Sequence, residues 1–263
     1  MTRILAVTNQ KGGVDKTTTS VNLATALCAV GQRVLLIDLD SQGNASTGLG
    51  IARAERQKSS YDLFFDTTIN IADWAQATRV PKLSIIPGTI ELSGAELELV
   101  GEEGREFRLR EALSRGTLAY DYIVLDCPPS LSLITLNALV ASDAVLIPLQ
   151  AEFYALEGLS HLTKTIERVR KTFNPALEIQ GLVLTMVDKR NRLSEQVETD
   201  VRDHFGDLVY KTVIPRNVRM SEAPSHGLPA IVYDLKCVGS QAYLSLAREL
   251  IKRERSLAAE RAA

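Results

Sequence analysis

Two lysines, two glycines and two threonines crowd into the eight residues Lys11-Gly12-Gly13-Val14-Asp15-Lys16-Thr17-Thr18. The apolar run Ile4-Leu5-Ala6-Val7 precedes them, and an apolar-periodic segment, Val21 to Leu27, follows. Strand, tight loop and helix start, in that order, make a phosphate cradle. Backbone N–H groups and the helix N-terminus point at anionic oxygens. In the pattern G-x-x-x-x-G-K-[ST], Lys16 supplies a point charge to the phosphates and the Thr17 hydroxyl reaches Mg²⁺. Asp15 stands at the pattern's second glycine. A carboxylate therefore occupies the place where chain and phosphate should approach most closely.

Carboxylates stand at two further strand ends. Ile37-Asp38-Leu39-Asp40 places two acidic groups two residues apart, on the same side of an extended chain. Alone the pair reads as a strand end and a cap; beside a phosphate loop, one of the two manages the attacking water. Ile123-Val124-Leu125-Asp126-Cys127-Pro128-Pro129 is an apolar strand ending in the usual second, magnesium-linked aspartate. The two prolines stop it at once. Cys127 reads as a passive neighbour, since no histidine is close in sequence. Lys11, five residues before Lys16, reads on its own as a solvated lysine.

Positive charge gathers later, in Lys189, Arg190, Arg192, Lys211, Arg216 and Arg219. On one face these would hold phosphate backbones without reading bases; the alternative is a solvated surface. His161, His204 and His226 have no metal-ligand spacing.

The elements that must position these residues alternate along the chain. Strands are expected over Ile4–Thr8, Val34–Asp38, Leu83–Pro87, Tyr122–Asp126, Ala144–Pro148, Gly181–Met186 and Val209–Ile214. Helices are expected over Thr17–Ala29, Leu133–Val140, Leu156–Phe173, Ser194–Phe205 and Ser240–Arg255. The strand runs are apolar throughout rather than alternating, as strands covered on both faces are. The pattern predicts an α/β fold: one domain with a mostly parallel, doubly wound sheet and helices on both faces. Ligands of such sheets bind at the carboxyl ends of strands, where the loop and the aspartates lie. Residues 254–263, charged and alanine-rich, are expected to fray.

Composition fits that reading. The 263 residues are 45% hydrophobic and 24% charged, enough to bury a full core. The net charge of −2 excludes a polycation, so any nucleic-acid contact must be a local patch. Cys28, Cys127 and Cys237 form no C-x-x-C, which argues against a zinc site or a disulfide framework. No leader and no membrane-length apolar run is visible, so the chain is expected to be cytoplasmic.

The run K-G-G-V-x-K-T-T-T-S-V-N-L-A, then V-L-L-I-D-L-D-x-Q-G-N-A-S-T-G-L-G, resembles the ParA/Soj chromosome-partitioning ATPases. So do L-D-C-P-P-S-L, P-L-Q-x-E-F-Y-A-L-E-G-L-S and I-P-R-N-V-R-M-S-E-A-P-S-H-G, in the same order. The resemblance runs from Thr2 to about Arg253. It implies a single P-loop ATPase domain over 1–263 that binds ATP or ADP with Mg²⁺ through residues 11–18. By resemblance Lys11 is the lysine that reaches a partner's phosphates in a nucleotide-sandwich homodimer. Lys16 and Thr17 are the in-chain phosphate and magnesium residues. Asp40 positions the hydrolytic water near the metal, Asp126 is the Walker B carboxylate, and Pro215 and Asn217 hold adenine. Arg190 and Arg219 match arginines used for sequence-independent binding of double-stranded DNA, with Lys189, Arg192 and Arg216 beside them. The implied cycle coats the nucleoid with the ATP dimer and releases it when a ParB-type protein stimulates hydrolysis.

Two residues depart from the family pattern. Ser41 replaces a proline, with a small expected effect. Asp15 replaces glycine and sets like charge against phosphate. At ~4 Å that is about 1 kcal/mol per charge pair in bulk water and ~4 kcal/mol at an effective dielectric of 20. A loss of about two or more decades in ATP affinity is expected, with a monomeric, nucleotide-defective binding protein as the second reading. The Asp15 carboxylate is also a candidate partner for Lys16 or Lys11. A MinD-like membrane-cycling role is expected to fail for want of an amphipathic C-terminal helix. An iron–sulfur role finds no matched cysteines.

Overall fold

The computed structural model describes residues 2–115, 119–152, 155–188 and 190–262. Seven strands form one sheet: β1 Arg3–Val7, β2 Val34–Asp38, β3 Gln76–Ala77, β4 Leu83–Ile86, β5 Tyr122–Asp126, β6 Ala144–Gln150 and β7 Glu178–Thr185. Their spatial order is β3-β4-β2-β5-β1-β6-β7, parallel except for β3 against β4. The helices that bear on the site are α1 Lys16–Ala29, α2 Asn44–Gly48, α3 Leu92–Glu98, α4 Leu133–Ala141, α5 Ala155–Thr172, α6 Arg192–Phe205, α7 Val218–Glu222 and α8 Val238–Ala262.

Successive strand residues feed two separate cores, because side chains alternate across a sheet. Leu5, Leu36 and Val124 join the core under α1 and α8. Ala6, Leu35, Ile37, Ile123 and Leu125 join the core under α4, α5 and α6. Every residue of β2 and of β5 is buried. This double burial explains why the strand runs carry no polar alternation. Parallel pairing sets Val7 and Asp38 both opposite Asp126, so β1, β2 and β5 end at one edge with their loops side by side.

One expectation fails. Val209–Ile214 forms no strand; it meets β7 through the isolated parallel bridge Leu182–Val209 and through Tyr210 N and Ile214 N, which donate to Leu182 O and Leu184 O, each at 2.8 Å. Its middle N–H groups are taken elsewhere: Lys211 and Thr212 donate to the Glu249 carboxylate of α8, at 2.8 and 2.9 Å. Pro215 then has no N–H to give. At the other end, α8 runs on to Ala262. Its last residues are alanine, arginine and glutamate, strong helix formers. β3, two residues long, has no sequence signal. No helix among the described residues is long and apolar enough to cross a membrane.

Candidate functional site

β1 stops at Val7 and α1 starts at Lys16, leaving a loop between strand and helix. Side chains and strand ends fix this loop. Asn9 Nδ2 donates to Pro148 O (2.8 Å), Lys11 N donates to Asn9 Oδ1 (3.1 Å), and Thr185 Oγ1 donates to Val14 O (3.2 Å). Asp15 closes the loop with φ 61° and ψ 32°, in the left-handed region. An L-residue adopts that region at a cost of roughly 1–2 kcal/mol, which glycine avoids. The backbone there is shaped for the residue that the motif normally carries.

The Asp15 carboxylate does not pair with either lysine, contrary to one expectation. Its hydrogen-bond partner is the Thr18 hydroxyl, at 3.4 Å. Burial pushes its pKa up, opposed by Thr18 and by the Arg216 charge. Lys16 is almost fully buried, and its ammonium donates to Lys11 O at 2.8 Å. Burial lowers its pKa, while Asp126, Cys127 and Asp40 favour its charged form. Lys11 points elsewhere: its ammonium pairs with the Glu152 carboxylate, both half-exposed.

Three aspartates converge on the loop and divide by environment. Asp126 is fully buried. Ser20 Oγ donates to its Oδ1 at 2.7 Å, and its Oδ2 is buried with no hydrogen-bond partner. Its pKa is pushed up to about 8, first by burial and then by the neighbouring Asp38 charge, with the Ser20 and Thr17 hydroxyls pulling the other way. An orphaned buried carboxylate oxygen beside Thr17 fits a cation. Among the described residues no group of three or more His, Cys, Asp or Glu side chains forms a metal cage. Mg²⁺ is commonly held by one or two carboxylates plus substrate phosphates and water, and Asp126 supplies one such carboxylate here.

Asp38 is also fully buried and acts as a hub. Its carboxylate accepts from Ser46 N (2.9 Å), Ser46 Oγ (2.7 Å) and Asp40 N (3.2 Å). Asp40 is only partly buried and accepts from Gln42 N at 2.9 Å. Of the pair, Asp40 is therefore the carboxylate open to solvent, and Asp38 holds its backbone. Gly88 packs against this turn so closely that a Cβ there would lie 2.7 Å from Asp40 O.

Sequence reasoning missed three supports of this site. Ser20, Ser46 and Arg56 are common residue types in unremarkable positions. Arg56 is 8% exposed; its guanidinium donates to Ile51 O, Gly88 O and the Thr47 hydroxyl. Only the fold reveals that it lies over Gly43, beneath the Asp40 turn.

Arg190 and Arg216 share an edge beyond the end of β7, beside Asp188. Arg216 N donates to Val187 O (3.1 Å), which sets Arg216 beside Asp188 and Arg190. Arg190 pairs with Asp188 at 2.8 Å and holds that carboxyl well below the usual range. Arg219 pairs with Glu222 and Asp234. Arg192 is exposed at the start of α6. Lys189 lies outside the described residues. Pro215 and Asn217 join this edge to α7, whose first turn Asn217 caps by accepting from Arg219 N at 2.8 Å.

Known proteins share both the sequence and the fold. The family profile described as an AAA domain matches residues 2–179. The chain is 59% identical over 262 residues to the chromosome partitioning protein ParA of Caulobacter vibrioides, covering 99% of this chain and 98% of that one. It is 55% identical over 250 residues to the sporulation initiation inhibitor protein Soj of Bacillus subtilis, covering 95% and 98%. Among solved structures it is similar to cobyrinic acid a,c-diamide synthase from Mycobacterium smegmatis with bound ATP analog and magnesium. That match has a TM-score of 0.84 and 35% identity, over 97% of each chain. The cell division ATPase MinD of Pyrococcus furiosus aligns with a TM-score of 0.77 and 25% identity, over 96% of this chain and 99% of that one.

Proposed function

The chain belongs to the ParA/Soj family of chromosome-partitioning ATPases, and from that premise we propose that it is a DNA-partition switch whose nucleotide step is held back by Asp15. The observation that carries the reading is the meeting of Lys16, Thr17, Asp126 and Asp40 at the open edge of one sheet.

Residues 11–18 cradle the ATP phosphates, with backbone N–H groups and the start of α1 facing them. Lys16 leaves Lys11 O to meet the β- and γ-phosphates. Thr17 and Asp126 hold Mg²⁺, which neutralises phosphate charge when bound. Asp40, placed by Asp38 and Gly88, orients the attacking water. Lys11 leaves Glu152 and reaches the phosphates of a second copy, so that two chains enclose the nucleotide. Pro215 and Asn217 lie against adenine. Arg190, Arg192, Arg216 and Arg219, with Lys189, hold DNA phosphates without reading bases. A ParB-type protein completes the cycle by stimulating hydrolysis, and the family relationship supports a nucleoid location.

Asp15 opposes the first step. Its carboxylate stands at the N-cap of α1, where anionic oxygens should sit. Two decades of affinity amount to about 2.7 kcal/mol. One repulsive pair at ~4 Å and an effective dielectric of 20 supplies ~4 kcal/mol, more than that. The second reading for the chain as it stands is a monomer that meets its partners without turnover. Calorimetric titration of MgATP into this chain and into Asp15→Gly tests it.

A further inference from the structure

A cavity of ≈ 550 Å³ lies between the end of α1 and the C-terminal half of α8. Val30 and Gln32, just past α1, line one wall; Arg248, Ile251, Lys252 and Arg255 of α8 line the other. The 14 residues of α1, about 20 Å of helix, separate it from Lys16. It therefore stands at the opposite edge of the sheet from the phosphate loop, and from Arg190 and Arg216 beyond the end of β7.

The cavity is positive. Arg248, Lys252 and Arg255 stand four and three residues apart, so they share one face of α8 over about 10 Å. All three are exposed, and no acidic side chain lines the cavity. Among the described residues, none of the three has a carboxylate at ion-pair distance. The acids of the same stretch turn away from it. Glu249 accepts from Lys211 N and Thr212 N and pairs with Arg253, while Glu254 pairs with Arg3.

The end of α1 accounts for only part of this charge. Its last turn holds no basic residue, and a helix C-terminus attracts cations. That end amounts to roughly half a negative charge. The Lys82 ammonium already reaches it, donating to Gly31 O at 3.1 Å. The three cations on α8 are left without a counter-charge in the fold. Beside them Val30 and Ile251, both half-buried, supply apolar surface, and Gln32 supplies an amide. Unpaired cations bordering an apolar patch fit a partner of opposite charge that also carries apolar groups.

We infer that this groove docks an acidic segment of a partner protein. Its aspartates or glutamates meet Arg248, Lys252 and Arg255, and an apolar side chain between them lies on Val30 and Ile251. The apolar patch favours a peptide over a nucleic-acid backbone, which presents phosphate. The site goes beyond the partition reading and needs no nucleotide.

The test uses a fluorescent peptide of glutamate and leucine, titrated by anisotropy against the full chain without nucleotide. The peptide is expected to bind, and more weakly as salt rises. Lys252→Glu combined with Arg255→Glu should weaken binding about tenfold or more. Lys164→Glu combined with Lys171→Glu, on α5, makes the same change in net charge and should leave binding as it was. The Lys252→Glu, Arg255→Glu chain should also gain affinity for a peptide of lysine and leucine, a gain that misfolding would not give. Absence of binding by the acidic peptide, or equal losses in the two double variants, overturns the proposal. It is also overturned if duplex DNA of unrelated sequence displaces the peptide and loses as much affinity in the Lys252→Glu, Arg255→Glu chain, since the surface then holds phosphate backbones.

Discussion

Asp38 and Asp126 occupy the same register on the neighbouring strands β2 and β5, and both are completely buried. Two carboxylates so placed cannot both ionise cheaply without a cation. Burial first, and the Asp38 charge second, push the pKa of Asp126 up to about 8, and that of Asp38 rises mainly by burial. A carboxyl in the unfolded chain titrates near 4. The native state therefore holds the Asp126 proton more tightly. Its contribution to stability is complete below about pH 4 and is lost as pH climbs through about 8. Metal-free protein is expected to melt at a lower temperature near pH 9 than near pH 6. Asp126→Asn should flatten that fall, and Mg²⁺ with nucleotide should oppose it in Asp15→Gly. Melting curves across pH check this; a wild-type curve as flat as that of Asp126→Asn would refute it.

Gly88→Ala probes the packing of the Asp40 turn. The added Cβ would lie 2.7 Å from Asp40 O and 2.9 Å from Asp38 Cγ. Overpacking of this kind costs roughly 1–3 kcal/mol. A lower melting temperature is expected, and in Asp15→Gly a slower ATP turnover with little change in nucleotide affinity.

Arg56→Met removes a buried guanidinium and leaves Ile51 O and Gly88 O without that donor. Each orphaned buried group costs about 1–3 kcal/mol, so a loss of ~3 kcal/mol is expected. For a chain of this size the melting temperature should fall by about 6–12 °C. Arg56→Lys should recover only part, because an ammonium lacks the planar fork that spans both carbonyls.

DNA contact is testable residue by residue. In Asp15→Gly with MgATP, replacing Arg190, Arg192, Arg216 or Arg219 with alanine should weaken binding to unrelated duplexes equally. Each change should flatten the salt dependence by about one unit of slope. Filter binding at several salt concentrations measures it. Sequence-selective loss would mean that these arginines read bases.

Much of this was legible before any coordinates. Fully apolar strands ending in aspartate had to lie inside a two-faced sheet, and their ends had to meet the phosphate loop. Asp38 and Asp40 could not be separated by spacing alone. Only the fold shows that Asp38 is sealed by Ser46 and that Asp40 opens to solvent. Arg56 was invisible because a buried arginine leaves no pattern of its own. Val209–Ile214 misled because its apolar ends do touch β7, while Glu249 captures the middle N–H groups. The pairing of Lys11 with Glu152 joins residues far apart in sequence, beyond the reach of local pattern.

Asp15 is the residue on which the account turns. Its left-handed backbone suits glycine, and its carboxylate stands at the N-terminus of α1. The most direct test is calorimetry of MgATP with this chain and with Asp15→Gly under identical conditions. The account predicts that the glycine form binds about a hundredfold more tightly or better. Equal affinity in the two chains would contradict it.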